Sequence, residues 1–154
     1  MKPSLSALIA ANAPETDRVI AVLVQLGHST FGTIRLRQDL SGGESALDSN
    51  GNTFTPFPFE IFLPDQNEEV PKSTFRVDNI GDAATGPKIA RLISEISPSL
   101  GPIDFRIMVV FEDDPDTIEL DFDRLKLRDV VGDISSVVGE IKGPAYFEAP
   151  LQSR

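Results

Sequence analysis

The chain has no cysteine and a single histidine, His28, among its 154 residues. Without thiols there is no disulfide framework, no thiolate nucleophile and no cysteine-held zinc or iron–sulfur site, which fits a protein made in a reducing cytoplasm. Positive charge is also scarce: 14 Lys and Arg stand against 24 Asp and Glu, a formal net charge of -10. Neutralising phosphate takes clustered Lys and Arg, so general binding to nucleic acid or to anionic membranes is disfavoured. Long apolar runs are missing as well. Near the N-terminus only Ala7 to Ala11 is continuously apolar, too short for a signal-peptide core or a membrane span, and the expectation is no export by the usual route.

What is present is an ordinary globular composition, 40% hydrophobic and 25% charged, which argues against a disordered or fibrous chain. This length suits one domain, residues 1–154, able to bury roughly two thirds of the surface its unfolded form exposes. No internal repeat or linker interrupts it.

Periodicity supplies the elements. Ser4 to Ala13 places Leu5, Leu8 and Ile9 on one helical face, with Ser4 as N-cap and Pro14 closing the segment, which predicts a short amphipathic helix. Val19 to Leu26 is apolar on both faces and rich in β-branched residues, the pattern of a central strand. In Thr33 to Arg37, Ile34 and Leu36 alternate with Arg35 and Arg37, a strand with one wet face that pairs antiparallel with the first. Asp39 to Thr53 is dense in Gly, Ser, Asn and Asp and reads as a long exposed loop or β-arm.

From Phe54 to Leu63, Phe57, Phe59, Ile61 and Leu63 share a face, while Pro56 and Pro58 lack the donors a central strand needs, so the first half belongs at an edge. Asp65 to Lys72 is a polar turn, and Phe75 to Asp78 alternates as a further strand. Gly86-Pro87 opens a helix carried by Ile89, Leu92, Ile93 and Ile96 and stopped at Ser97-Pro98. Ile103 to Phe111 is the longest strand signal, and its partly apolar second face calls for a covering layer. A turn at Glu112 to Asp116 then leads into Ile118, Leu120 and Phe122 on one face. Leu125 and Leu127 fall on the opposite parity, which requires a β-bulge near Asp123-Arg124. A last strand, Ile134 to Ile141, precedes a tail whose Tyr146, Phe147 and Leu151 are placed to dock on a neighbour. The expected fold is mainly β (α+β): an antiparallel β-sandwich or split barrel with one packed helix and a short N-terminal helix.

Catalytic machinery is thin. His28 lies beside Ser29 and Thr30, but adjacent residues do not form the geometry that activates a nucleophile, so a strand-end histidine is the better reading. The acidic run Glu112, Asp113, Asp114, Asp116, continued by Glu119, Asp121 and Asp123, has the oxygens for calcium or acid–base work. Its second half, however, alternates with Ile118, Leu120 and Phe122 as the solvated face of a strand. Asp48, Asn50, Gly51 and Asn52 miss the spacing of a calcium loop, and neither Gly42-Gly43 nor Gly86-Pro87-Lys88 has that of a phosphate-binding loop. No catalytic residue, cofactor or metal is expected. The candidate residues instead form an interface set: Ser41, Gly43, Leu47 and Asn50 on the arm, Phe54 and Phe62 on the second face of the aromatic strand, and Tyr146 and Phe147 on the tail.

Several segments carry a resemblance. Asn12 to Asp17, Phe57 to Ile61 with Leu63-Pro64-Asp65, Arg76 to Asn79, Asp114 to Thr117 with Glu119, and Leu127 to Val130 together resemble, in order and over nearly the whole chain, a family of small phage tail proteins catalogued as a domain of unknown function. The resemblance implies a distal-tail or minor-tail protein with a tail-tube-like fold, assembling with itself in a ring beside tail tube, tape-measure and hub proteins in the virion tail. It implies no enzyme, no specific nucleic-acid binding and no membrane span. Two rivals remain: a carbohydrate- or receptor-binding accessory using Phe54, Phe62 and Tyr146 as stacking platforms, and a hydrolase using the Glu112 to Asp123 carboxylates.

Overall fold

In the computed structural model, residues 4–5, 19–63, 73–78, 101–132 and 136–143 are described. The helices expected in Ser4 to Ala13, beyond Leu5, and from Gly86 to Ser97 lie outside these residues, as do the Asp65 to Lys72 turn and the tail with Tyr146, Phe147 and Leu151.

The described chain is mainly β. Its strands are β1 (Ile20–His28), β2 (Gly32–Gln38), β3 (Leu47–Ser49), β4 (Asn52–Phe57), β5 (Phe59–Phe62), β6 (Ser73–Asp78), β7 (Ile103–Phe111), β8 (Asp114–Gly132) and β9 (Ser136–Lys142). They form one nine-stranded mixed sheet in the order β3-β4-β2-β1-β7-β8-β9-β6-β5. The β1–β2 pair is antiparallel, joined by a turn whose Gly32 takes a positive φ of 82°. The one parallel pairing is β2 with β4, reached after the chain has looped out through β3.

β4 and β5 lie towards opposite ends of this order, yet only Pro58 separates them. The sheet must therefore curl enough to bring β4 and β5 within one residue of each other. Pro58 has no N–H to give a ladder, so the strand bends there and exchanges partners, from β2 to β6. Three bonds stitch the junction: Asp39 N–H donates to Phe57 O (3.1 Å), Gln38 Nε2 to Phe59 O (2.8 Å), and Asp78 N–H to Pro58 O (3.1 Å).

Curling buries the inner face. Val22, Val24 and Leu26 of β1 join Phe57, Phe59, Ile61, Phe75, Val77, Phe105, Ile107, Leu125 and Ile141 in one cluster. Phe75 sits at its centre, tilted against Phe59 (5.6 Å between centroids) and edge-on to Phe105 (5.0 Å), arrangements that aromatic quadrupoles favour. Leu5 reaches the same core, and Ser4 bridges to Phe62 at the β5 edge.

β8 follows this curvature through register breaks. Between Phe105↔Leu125 and Ile107↔Phe122 it carries one extra residue, with Arg124 at φ 59°, at the position where parity changes in the sequence. A second extra residue, Glu119, separates Val109↔Leu120 from Val110↔Ile118. That bulge corrects the expected common face of Ile118, Leu120 and Phe122, because it turns Ile118 outward. Between Val110↔Ile118 and Phe111↔Asp114 the ladder opens further, and Pro115, Asp116 and Thr117 loop out.

Candidate functional site: the hairpin-capped outer face

The layer that covers the second face of β7 is the arm itself. Asn50 (φ 52°) and Gly51 (φ 84°) form a two-residue hairpin turn of the Asn-Gly kind, pairing Ser49 with Asn52 and Leu47 with Phe54. The β3–β4 hairpin folds over the outside of β1 and β7. Phe54, 2% exposed, packs on Ala21, Leu23, Met108 and Val110, with Leu47 and the outward-turned Ile118 at the margin. Phe54 is thus buried within its own chain, which corrects the expectation that it faces a partner.

Polar contacts fix the hairpin tip to the looped-out segment of β8. Ser49 Oγ donates to Pro115 O (2.7 Å), Asn50 N–H to Asp116 Oδ1 (2.6 Å), and Asn50 Nδ2 to Asp116 O (3.2 Å). The ladder break at 115–117 therefore supplies the dock for the arm.

The base of the arm is organised by two charged residues that periodicity assigned to water. The Asp39 carboxylate accepts from Gly42 N–H (2.8 Å), Ser41 Oγ (3.3 Å) and Glu44 N–H (3.3 Å), which folds the loop around it. Arg37, expected on a wet face, is only 4% exposed. Its guanidinium donates to Ser45 O (3.0 Å), lies 3.2 Å from Glu44 Oε1 and pairs with the Glu112 carboxylate. A buried cation needs such partners, since isolation from water costs several kcal/mol. Nothing in the period-2 pattern distinguishes it from Arg35; only the arm folding back does.

Between hairpin and sheet lies a cleft of about 380 Å³. Gln25 and Arg106 enter it from the sheet, Ser49, Asn50 and Asn52 from the hairpin, and Asp116 from the loop, over a floor of Phe54, Met108 and Ile118. A polar row runs alongside. Arg35 Nε donates to Gln25 Oε1 (3.0 Å), and Arg106 grips Asp121 with Nε (2.9 Å) and Nη2 (2.7 Å). The hydrogen bonds that Arg106 donates to the Asp121 carboxylate hold its guanidinium above the usual arginine pKa, a partial desolvation opposing them. Lys126 pairs with Asp104 one row further along.

The remaining candidates are placed as follows. Ser41 and Gly43 are exposed on the Asp39 loop and bonded to each other, Gly43 N–H to Ser41 Oγ (3.3 Å). Phe62 is half-buried with the Arg76 guanidinium 5.7 Å from its ring centre. His28 Nδ1 accepts from Thr30 N–H (3.0 Å) and closes the β1–β2 turn. Among the described residues, no group of three or more His, Asp and Glu side chains converges as a metal-ligand set, and no helix is long and apolar enough to cross a membrane. The structure thus brings Asn50, Leu47 and Phe54 together at one site with Asp116, which the sequence offered only as part of an acidic run, and adds Gln25 and Arg106, which sequence patterning did not single out.

A curled, mainly-β sheet with a hairpin-capped outer face defines the class. The chain belongs to the DUF1833 family, a domain of unknown function, whose model matches residues 5–143. No curated protein matches the chain.

Proposed function

We propose that the protein is a non-enzymatic structural subunit of a phage tail tip, a ring-forming connector between tail tube and hub or baseplate. The observation that carries this is the mainly-β sheet that bends back on itself at Pro58, which is compatible with a tail-tube-like split barrel. A sheet of this kind, whose short edge strands β3 and β5 end it, offers a wall suited to repeating around an axis. The resemblance to small phage tail proteins supplies the setting: the virion tail, with tail tube, tape-measure and hub proteins as neighbours.

Two further features support a ring. Val131, 71% exposed, faces Val138 across β8–β9 as an apolar pair on the outer surface, of the kind that a second copy would cover. The acidic surface, from a formal net charge of -10, would let DNA pass without adhering. The stacking-platform rival is weakened by the burial of Phe54.

Deleting the gene from its phage should give tails that lack a joined tip, with electron microscopy and plating as readouts. In the purified chain, Val131→Glu should abolish rings without lowering the melting temperature. Infectious particles formed without the protein would overturn the proposal.

A further inference from the structure

The cleft on the outer face is lined by polar groups that the fold leaves half-used. Gln25 spends Oε1 on Arg35 and keeps its two amide protons. Arg106 spends Nε and Nη2 on Asp121 and keeps Nη1. On the opposite wall Asn50 donates through Nδ2 and keeps Oδ1, and Asp116 commits one carboxylate oxygen to Asn50 N–H and keeps the other. Asn52 adds a further side-chain amide to the lining. Free donors thus come from Gln25 and Arg106 on the sheet and from Asn52 on the hairpin, and free acceptors from Asn50 and Asp116.

A ligand matched to this lining donates and accepts at neighbouring atoms, as vicinal hydroxyls do. It carries no net charge: an anion meets Asp116 and the Asp121 carboxylate behind Arg106, and a cation meets Arg106 itself. A volume of about 380 Å³ lies near the lower end of small-molecule sites, which suits a monosaccharide or disaccharide. An extended peptide fits less well. Main-chain recognition uses a free sheet edge, whereas β1, β7 and β8 beneath the cleft are each paired on both sides.

We propose that this cleft binds a neutral sugar, through Gln25, Asn52 and Arg106 as donors and Asn50 and Asp116 as acceptors. The site lies within one subunit and does not depend on ring assembly. Titrating the ¹⁵N-labelled full chain with glucose, galactose, mannose, N-acetylglucosamine and lactose, followed by NMR, tests it. Saturable shifts are expected at the amides of Gln25, Asn50, Asn52 and Arg106 for at least one sugar, with half-saturation on the order of 1–10 mM. Gln25→Ala and Asn52→Ala should each raise that value by roughly 2- to 12-fold, the weight of one hydrogen bond, with an unchanged melting curve. The proposal is overturned by flat titrations with all five sugars, by half-saturation unmoved in both variants, or by shifts that appear only with a Gly-Ser peptide probe.

Discussion

Truncating Phe54 to alanine tests the hairpin cap separately from the inner core. The side chain is 2% exposed and meets the outer cluster of Ala21, Leu23, Met108 and Val110. A phenylalanine buries roughly 150–250 Å², worth about 4–6 kcal/mol at about 25 cal/mol per Å². A compact unfolded chain lowers that by roughly 10–40%, and a cap near the surface closes part of the cavity, so a loss of about 3 kcal/mol is expected. For a chain of this size that is a fall of about 6–12 °C in melting temperature. Urea and thermal unfolding followed by circular dichroism measure it, with Phe62→Ala as control. Phe62 is half-buried beside Arg76 and should cost about 1 kcal/mol or less. The urea slope adds a second readout, since a cap that undocks in the native state reduces the surface exposed on unfolding and lowers m. A Phe54→Ala loss no larger than that of Phe62→Ala would refute the placement of the hairpin on its own subunit.

Other outcomes follow from the same packing. Arg37→Met leaves the partly exposed Glu112 carboxylate without its cation and should cost about 1–3 kcal/mol, part of it recovered in Arg37→Met/Glu112→Gln. Gly139→Ala drives a methyl to 2.8 Å from Leu127 Cδ1, so a loss of about 1–3 kcal/mol is expected in urea, eased by Leu127→Ala in the same chain. Gly51→Ala, at φ 84°, should cost about 1 kcal/mol in urea through backbone strain alone, because the added methyl points into open space. The raised pKa of Arg106 means that its stabilisation is complete below the unfolded arginine value and is lost only as pH rises beyond it. Arg106→Gln should therefore shift stability by a constant amount between about pH 6 and pH 9, and a slope difference from wild type in that window would contradict the assigned pairing.

The strands were legible because their residues alternate. Phe57 to Leu63 and Ile103 to Phe111 each carry a period-2 apolar row, and burial of that row on one side of a sheet is what the period expresses, while Val19 to Leu26 was legible as a run apolar on both faces. The bulge at Arg124 was legible for the same reason, since Leu125 and Leu127 change parity within the strand. The bulge at Glu119 was not, because Ile118 keeps the parity of Leu120 and Phe122 and the ladder alone reverses its face. Asn50-Gly51 is a strong hairpin signal, but it lay in a segment whose composition suggested a long exposed loop or β-arm without placing the turn.

By itself the sequence determined local order: which runs extend, which residues turn, and that the chain carries no thiol and a single histidine. Those properties depend on neighbours a few positions away. Tertiary structure decided everything that joins distant segments: the bending back of the sheet at Pro58, the burial of Arg37 under the Asp39 loop, and the seating of Asn50 on Asp116, 66 residues along the chain. Phe54 shows why. Its alternation marks a second face, but whether that face meets solvent, a partner or its own sheet depends on where the hairpin comes to rest, and that is set by long-range pairing that no local pattern encodes.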